Sequence, residues 1–498
     1  MKSYILGIDQ STQGTKVLLF DDAGTICHKA TKSHRQYIDE KGWVEHDPDE
    51  IWCNLKDLIR DMLEAADIDG RDIKAVGISN QRETAMAWNR QTGRPVHRAI
   101  VWQCARGAAI CEELRRKGFD SLIKNTTGLP LSPYFSEAKL AWILRHVEGT
   151  KALMAEGNLC MGTMDSWLVY CMTKGQVFRT DFSNASRTQL FDIGRLTWSQ
   201  DVCRAFGIEP SALPEVTDSN GLYGKTDFDG ILPEAIPIHA VFGDSHAALF
   251  GQACHRPGMA KATYGTGSSV MMNIGDKPVY SQHGLVTSLA WSLSGKATYV
   301  LEGNINYTGA AITWLKDDLQ LIQSPEETMN LAKAANPKDR SYFVPAFTGL
   351  GAPYWESQAT GLYTGVTRVT GKKEMVRAVL DAIAYQINDV TTLMQQESGY
   401  RLPSLRVDGG PTKNAYLMQF QTDLLDCPVD VPEAAELSAI GVAYAAGLAV
   451  GLYDQDALFK DMKGLSYEPS MAGARRRELI QGWQQAISQT LAVTHQGA

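Results

Sequence analysis

The feature that most constrains the fold of this chain is a strand–turn–strand unit that occurs once in each half of the sequence. In the first half the runs YILGID and KVLLFD flank the turn QSTQGT, and in the second half MAKATY and SVMMNIG flank the turn GTGS. Short apolar runs joined by a Gly-bearing turn predict a β-hairpin at each place. A helical pattern follows the first unit behind Asp47 and Pro48, which are typical of a capped helix start. Strands that alternate with helices predict an α/β fold, and the repeat predicts a duplication.

The length of 498 residues exceeds what one hydrophobic core can serve and predicts two or three domains. We place the boundary at the segment QACHRP, which gives an N-terminal domain of residues 1–252 and a C-terminal domain of residues 253–498. In the second half we expect a helix from about Thr308 and a long amphipathic helix from about Lys372 to Gln396. The unit LRVDGGPTKNAYLMQF predicts a strand, a turn and a helix, and SAIGVAYAAGLAVG predicts a closing helix of small residues.

Charge and cysteine content narrow the classes of partner. The net charge is -8 with no predicted basic face, which argues against nucleic acid and anionic membranes. The 9 cysteines include no Cys-x-x-Cys pair, so neither a disulfide framework nor a zinc site is indicated. The first residues lack a signal-peptide pattern and no stretch is apolar enough to span a membrane, so we expect a cytoplasmic protein.

Three Gly-bearing turns have the composition of phosphate-binding loops: GIDQSTQGTK, TYGTGSS and VDGGPTKN. Glycine lets the backbone turn sharply while hydroxyl and N–H groups point into the concavity. None of the three is a P-loop or a dinucleotide fingerprint, and each alone is more typical of a plain hairpin. Together they predict a phosphate cleft between the two halves. Asp9 ends the first strand, where it either caps its own turn or holds Mg²⁺ through water.

The stretch FGDSHAALFGQ, residues 242–252, admits two chemistries. Ser245 with a neighbouring His resembles a hydrolase nucleophile, whereas Asp244 at the end of an apolar run is suited to act as a general base. Serine hydrolases with a Gly-Asp-Ser motif typically carry it near the N-terminus, but here it lies in the middle of the chain. This position argues against the hydrolase, but the residues of this stretch alone leave both chemistries open.

Several separated segments carry a resemblance to a known family. YFSEAKLAWILRH and GVTRVTGKKEMVRAVLDAI match the two signatures of the FGGY carbohydrate kinases. GISNQRETAMAW, SNASRTQLFDI, VPAFTGLGAPYW and DGGPTKNAYLMQFQTDLL are most similar to the glycerol kinases within that family. The resemblance runs from Ile5 to about Gly451 and implies an actin-like (ribonuclease H-like) ATPase fold, with two duplicated α/β domains around a nucleotide cleft.

The resemblance also implies the role of individual residues. It makes Asp244 the catalytic base for phosphoryl transfer to a hydroxyl, with Ser245 as a neighbour and not a nucleophile. The residues that it places around the acceptor are Arg82, Glu83, Trp102, Tyr134, Asp244 and Ser245. Arg82 and Glu83 would bind adjacent hydroxyls, Trp102 would form an apolar wall, and Tyr134 would donate a hydrogen bond. The residues that it places around the nucleotide are Thr12, Gln13, Gly14, Lys16, Thr266, Gly309, Gly410 and Asn414. ATP and Mg²⁺ are the implied cofactors, with Mg²⁺ held by Asp9 through water.

This chain departs from the glycerol kinases mainly near the acceptor. Cys104 replaces Asp in their Trp-Gln-Asp-Arg-Arg segment, and Ser245 replaces the first Gln of their Gly-Asp-Gln-Gln segment. Lys16 stands where they usually have Arg, so a bidentate fork on the phosphate is lost. We therefore expect an acceptor pocket that is roomier and less polar.

The leading hypothesis is ATP-dependent phosphorylation of a small polyol or sugar hydroxyl, such as glycerol to glycerol 3-phosphate. A sister kinase for a tetritol or ketopentose, of the erythritol, xylulose or ribulose type, is the first alternative. An actin-like ATPase without an acceptor is an alternative from another class. The expected partner is a small polyol or sugar, and the sequence leaves open whether the chain forms a homo-oligomer.

Overall fold

The computed structural model describes residues 2–460 and 462–496, in which strands and helices alternate through both halves of the chain. The strands of the first half are β1 (Tyr4–Gln10), β2 (Gly14–Phe20), β3 (Ile26–Ser33), β4 (Tyr37–Ile38), β5 (Val44–His46), β6 (Ile73–Asn80), β7 (Ala85–Asn89), β8 (Ala99–Ile100), β9 (Leu159–Thr163), β10 (Arg179–Asp181), β11 (Phe191–Asp192), β12 (Thr197–Trp198), β13 (Glu215–Thr217), β14 (Leu222–Thr226) and β15 (Ile236–Gly243). Its helices are α1 (Pro48–Ala66), α2 (Ala108–Arg116), α3 (Asp120–Thr127), α4 (Ser136–His146), α5 (Thr150–Ala155), α6 (Met164–Met172), α7 (Phe182–Ser186), α8 (Gln200–Phe206) and α9 (Asp244–Gly251).

The second half continues the same numbering. Its strands are β16 (Ala260–Tyr264), β17 (Ser268–Gly275), β18 (Val286–Leu293), β19 (Lys296–Ile305), β20 (Tyr342–Val344), β21 (Leu362–Thr364), β22 (Leu405–Asp408), β23 (Val429–Pro432) and β24 (Gly464–Tyr467). Its helices are α10 (Gly309–Asp317), α11 (Glu327–Lys333), α12 (Lys372–Ser398), α13 (Ala415–Leu425), α14 (Leu437–Ala449), α15 (Gln455–Lys460) and α16 (Gly473–Gln496).

The two large sheets repeat one topology. The first has the strand order β14-β15-β6-β1-β2-β3, and the second has the order β18-β19-β17-β16-β22-β23-β24. In the first sheet β1 pairs with β2 antiparallel and with β6 parallel, and in the second β16 pairs with β17 antiparallel and with β22 parallel. Each sheet then adds one more parallel strand. In the first sheet β15 pairs parallel with β6, and in the second β23 pairs parallel with β22. The predicted hairpins and the predicted duplication are confirmed.

Local sequence signals explain how the first half is built. Every residue of β1 is buried, as expected for a central strand that is covered on both faces. Helix α1 begins as predicted, with the Asp47 carboxylate accepting hydrogen bonds from the N–H groups of Asp49 and Glu50, and with Pro48 in the first turn. A smaller sheet, in the order β4-β5-β8-β7-β9, lies beside the first large one. The predicted acceptor residues Arg82 and Glu83 lie in the connection from β6 of the large sheet to β7 of this one, and Trp102 follows β8.

The small-residue helix α14, predicted to be a closing helix, instead lies between the two halves of the molecule. It packs against α9 and against β1, β6 and β15 of the first sheet, so it joins the two halves, and α15, β24 and α16 follow it. A methyl group on Gly441 would lie 1.9 Å from the carbonyl oxygen of Ala247, and one on Gly77 would lie 2.4 Å from that of Val442. Small residues are therefore required because backbone packs directly on backbone here.

Apolar contacts between the halves form a continuous core around α14. Ile5, Phe20 and Phe242 from the first half pack in one cluster with Met271 and Val300 from the second. The proposed boundary between residues 252 and 253 falls in the connection between α9 and β16 and stays a prediction. Across the described ranges, no helix is both long and apolar enough to cross a membrane.

Candidate active site

Asp244 lies where β15 ends and α9 begins, so its carboxylate projects beyond the carboxyl end of a central strand. Its side chain is 37% exposed, and Oδ1 lies 3.3 Å from Nε of Arg82. Oδ1 also accepts a hydrogen bond of 2.6 Å from the N–H group of Ser245. The carboxylate is thus held in place by a cation and a backbone donor while it stays accessible to a ligand, which suits a general base.

The surroundings of Ser245 do not form a nucleophile site. The ring of His246 is buried and its Nε2 faces Ser288 Oγ at 3.4 Å, whereas its Nδ1 has no hydrogen-bond partner among the described residues. A serine nucleophile needs a base within hydrogen-bond reach of its hydroxyl, and neither nitrogen of His246 supplies one here. The structure therefore favours Asp244 over the hydrolase alternative.

Arg82 and Glu83, which we call the acceptor pair, lie between β6 and β7 on the same side as Asp244. Both side chains are buried, and Glu83 adopts the left-handed backbone conformation with φ of 57°. A non-glycine residue seldom adopts this conformation, and such residues are concentrated at functional sites. The turn directs one guanidinium and one carboxylate to neighbouring positions, which matches two adjacent hydroxyl groups.

Two further residues neutralise the acceptor pair. Glu302 on β19 accepts hydrogen bonds of 3.0 and 3.2 Å from the two Nη atoms of Arg82. Arg187, just after α7, donates from Nε to Glu83 Oε1 at 2.6 Å and places Nη1 3.1 Å from Glu302 Oε2. We call Glu302 and Arg187 the supporting pair. Burial raises the pKa of Glu302, but the two guanidinium groups outweigh burial and hold that pKa well below its usual range.

Trp102 and Tyr134 form an aromatic edge beside the acceptor pair. Their rings meet edge to face with centroids 5.5 Å apart, and both side chains are half-buried. The indole Nε1 of Trp102 donates to Thr12 Oγ1 at 2.9 Å, which connects this edge to the first Gly-bearing turn. The buried Lys139 donates to the carbonyl oxygens of Pro133, Tyr134 and Phe135 and so fixes the loop that carries Tyr134.

Cys104 does not take part in this pocket. Its side chain is fully buried in the core of the smaller sheet, where its sulfur accepts a hydrogen bond of 3.1 Å from Nε of Arg106. Arg106 in turn pairs with Glu45 at 2.7 Å. The expectation that Cys104 makes the acceptor pocket less polar is therefore wrong, because the residue points into a packed core. Ser245 remains as a departure beside Asp244, and it is half-buried.

The first Gly-bearing turn connects β1 to β2 and places Asp9 opposite Lys16 across the hairpin. The buried Asp9 accepts a hydrogen bond of 3.0 Å from the hydroxyl of Ser79. Burial raises the pKa of Asp9 to about 6 although Lys16 lowers it, and Asp244 adds to the rise. The ammonium group of Lys16 contacts Glu436 at 2.7 Å, and Lys29 contacts the same carboxylate.

The other two Gly-bearing turns line one cavity of about 580 Å³ in the second half. The predicted nucleotide residues that line it are Thr266, Gly309, Gly410 and Asn414. Ile312, Pro325, Met329 and Pro411 add an apolar wall, which suits the planar base of a nucleotide. A methyl group on Gly309 would lie 2.7 Å from the carbonyl oxygen of Gly265, so the turns approach backbone to backbone. Thr12, Gln13, Gly14 and Lys16 lie outside this lining, in the turn of the first half.

Sequence reasoning missed the supporting pair and Glu436. Arg187 lies inside the quoted segment SNASRTQLFDI, but no spacing signal connects it to Glu83, which is 104 positions away. Glu302 lies 220 positions from Arg82, in a strand whose pattern only indicates a buried element. Such partners are chosen by the tertiary fold, so a single sequence does not reveal them.

Asp9 is the candidate metal residue, and the donor set around it fits a hydrated cation. Across residues 2–460 and 462–496, no group of three or more His, Cys, Asp or Glu side chains could hold a metal ion. Mg²⁺ commonly binds one or two carboxylates and completes its shell with water and phosphate oxygens. A single buried carboxylate therefore suits Mg²⁺ that arrives with a polyphosphate, and does not suit a metal held by protein alone.

Comparisons with known proteins agree with this geometry. The FGGY family of carbohydrate kinases matches with its N-terminal domain at residues 4–251 and with its C-terminal domain at residues 260–450. The chain is 46% identical over 493 residues to the glycerol kinase of Alkaliphilus oremlandii (strain OhILAs), covering 99% of this chain and 98% of that protein. It is 45% identical over 490 residues to glycerol kinase 2 of Thermotoga maritima, covering 98% and 99% of the two chains.

Solved structures place the fold in the same group. Plasmodium falciparum glycerol kinase with ADP superposes with a TM-score of 0.93 at 35% identity over 98% of each chain. A gluconate kinase from Lactobacillus acidophilus reaches a TM-score of 0.87 at 20% identity, covering 99% of both chains, which shows the shared fold alone. The duplicated sheets and the matched ranges lead to one conclusion: this chain belongs to the FGGY family of carbohydrate kinases, and it is an ATP-dependent kinase with their two-domain, actin-like fold.

Proposed function

We propose that the chain transfers the γ-phosphoryl group of ATP to a hydroxyl of a small vicinal polyol, with glycerol as the first candidate. The observation that carries the proposal is the contact between Arg82 of the acceptor pair and the accessible carboxylate of Asp244. This contact places a proton acceptor next to the group that would hold the reacting diol. The identity with glycerol kinases over nearly the whole chain supports glycerol among the candidates.

Each residue of the site has a distinct task in this reaction. Arg82 donates to one hydroxyl and Glu83 accepts from the neighbouring one, so the acceptor is oriented by two atoms. Trp102 covers the carbon chain, and Tyr134 donates its phenolic hydrogen bond. Asp244 takes the proton from the attacking hydroxyl, a contribution worth roughly 10²- to 10⁴-fold in rate.

The second-half cavity would hold the adenosine part of ATP, with the first-half turn facing its phosphates. Thr12, Gln13, Gly14 and Lys16 provide N–H, hydroxyl and ammonium donors for the phosphate oxygens. Asp9 would hold Mg²⁺ through water, and Mg²⁺ neutralises charge on the transferring phosphoryl group when bound. Lys16 would exchange Glu436 for a phosphate oxygen.

Ser245 supports a second candidate acceptor. Its side chain is short and half-buried beside Asp244. A small hydroxyl side chain at this position leaves room and hydrogen-bonding capacity for a fourth or fifth carbon. A tetritol or ketopentose is thus the alternative acceptor for the same chemistry.

We place the reaction in the cytoplasm, because all 9 cysteines are free and several of them are buried. The partner is a small polyol or sugar.

The test is coupled ADP release across glycerol, dihydroxyacetone, erythritol, xylulose and ribulose. We expect release that depends on the acceptor, with glycerol turned over and at least one longer acceptor used comparably well. ADP release at the same rate without any acceptor would establish the acceptor-free ATPase instead. Release with a ketopentose but not with glycerol would establish the sister-kinase alternative.

A further inference from the structure

The supporting pair, Glu302 and Arg187, is more deeply buried than the acceptor pair that it contacts. The Glu302 side chain is 0% exposed and the Arg187 side chain is 1% exposed. Charges alternate along the contacts from Arg82 to Glu302, then to Arg187 and finally to Glu83. Each charge therefore has a partner of opposite sign within hydrogen-bond distance or close to it.

The contacts decide which atoms of the acceptor pair remain for a ligand. Each Nη atom of Arg82 donates one hydrogen bond to Glu302, so the guanidinium plane is fixed with Nε toward Asp244. The second N–H of each Nη remains for an acceptor hydroxyl. Arg187 occupies Oε1 of Glu83, which leaves Oε2 for an acceptor hydroxyl. A bidentate pair fixes a plane as well as a distance, which a single ammonium contact would not do.

Stability alone does not explain a buried four-charge cluster. Apolar residues of similar size would generally stabilise the fold as well as a buried ion pair does. The cluster also spans both halves, since Glu302 lies on β19 of the second half and the other three residues belong to the first. Ser269 adds a hydroxyl contact of 3.3 Å to the Glu302 carboxylate.

From these contacts we infer that Glu302 and Arg187 are positioning residues that set the geometry of acceptor recognition. They act through Arg82 and Glu83 and do not touch the acceptor. The inference rests on the proposed acceptor site. It predicts that loss of either residue weakens acceptor binding selectively, because the acceptor pair loses its fixed orientation while the nucleotide cavity in the second half is left intact.

The experiment compares Glu302→Gln, Arg187→Lys and the double variant Glu302→Gln with Arg187→Gln. We expect each variant to raise the acceptor KM by about 10- to 100-fold, since small misplacements of binding groups have effects of that size. The ATP KM should stay within about threefold of the wild type. Arg187→Lys keeps the charge, so it tests loss of the planar fork in a protein that is expected to fold.

The double variant separates positioning from stability. It removes one positive and one negative charge, so its melting temperature should recover relative to Glu302→Gln while its acceptor KM stays high. If the melting temperature rose and the acceptor KM also fell back toward the wild-type value, the cluster would only stabilise the fold. Arg377→Lys is the matched control, because Arg377 is a largely buried arginine paired with Asp339 at 3.4 Å in the second half, and it should leave the acceptor KM unchanged.

The outcomes separate this inference from the proposed function. A wild-type protein without acceptor-dependent ADP release would overturn both. The inference alone would be overturned by a different result. In that case the wild-type protein turns over an acceptor, and both Arg187→Lys and the double variant keep an acceptor KM within about threefold of the wild-type value.

Discussion

In the acceptor pocket the charges of Arg82 and Glu83 are neutralised by side chains of the protein, whereas at the phosphate turn the charges are paired less completely. The acceptor pair has bidentate and charge-assisted contacts from the supporting pair. The buried Asp9 accepts a hydrogen bond from the neutral Ser79 hydroxyl, and burial raises its pKa to about 6. Lys16, across the hairpin, is directed at Glu436.

The difference follows from the ligand that each side is proposed to bind. A polyol is neutral and brings no charge, so a charged pair that binds it must be neutralised and oriented by the protein beforehand. Mg²⁺ and a triphosphate bring charges of both signs, so the phosphate turn can leave Asp9 and Lys16 for the ligand to pair.

The largest effect is expected from Asp244→Asn. The amide keeps the shape and the contact with Arg82 but cannot take a proton, so kcat should fall by roughly 10²- to 10⁴-fold. Steady-state kinetics should show KM values for acceptor and ATP within about threefold of wild type. Ser245→Ala is the control and should be mild. An Asp244→Asn enzyme as active as the control would remove Asp244 from its role as base.

Asp9→Asn should have the next largest effect, and it should act on the nucleotide side alone. The Mg²⁺ concentration for half-maximal rate should rise by about 10- to 100-fold, the range seen when residues around a bound metal are lost. A magnesium titration at fixed ATP measures this. Ser79→Ala removes only the hydrogen bond to Asp9 and should shift the requirement less. An unchanged magnesium requirement together with a raised acceptor KM in Asp9→Asn would show that Asp9 serves the acceptor pocket and not the phosphate turn.

Ser245→Gln should change acceptor choice by a smaller factor. A longer amide beside Asp244 fills the pocket and adds hydrogen bonds, so the ratio of kcat/KM for glycerol over a four- or five-carbon acceptor should rise by about tenfold. Cys104→Ala is the matched control, because Cys104 is buried in a separate core and should leave the ratio unchanged. An equal shift in both variants would contradict the assignment of Ser245 to the pocket.

Glu436→Gln should have the smallest effect. It frees Lys16 from a partly exposed ion pair, and such pairs are worth about 0.2 to 1 kcal/mol, so the ATP KM should fall by at most about fivefold. The acceptor KM should not change. Glu433→Gln, an exposed carboxylate three positions earlier, serves as control. A raised ATP KM in Glu436→Gln would show that Glu436 supports the phosphate turn and does not compete for Lys16.

Sequence reasoning reached the parts of this site that depend on local chemistry. Gly-bearing turns at strand ends led to the hairpins and to the predicted phosphate cleft. Thr266, Gly309, Gly410 and Asn414 were implied by the family resemblance, and the structure brings them into one cavity. The strand-end position made Asp244 one of two candidates, because a strand end places a side chain at the edge of the sheet, and the family resemblance chose it over Ser245.

Contacts between residues that lie far apart in the sequence could not be predicted from the sequence. Glu302 meets Arg82 across 220 positions, and Cys104 points into a core although Trp102, two residues earlier, lies at the pocket. The helix SAIGVAYAAGLAVG was recognised as a helix, but its small residues reflect contact with the other half of the molecule. Such contacts are set by tertiary packing, which local patterns do not encode.

The central claim is that the acceptor side is complete before the nucleotide binds. The most direct test is isothermal titration of the best acceptor of the panel into nucleotide-free protein, repeated in the presence of Mg²⁺ and a non-hydrolysable ATP analogue. The claim predicts that the two Kd values for the acceptor differ by less than about fivefold, the lower limit of typical coupling between sites. Acceptor binding that is undetectable without the nucleotide, or that tightens beyond this limit when the nucleotide is present, would contradict it.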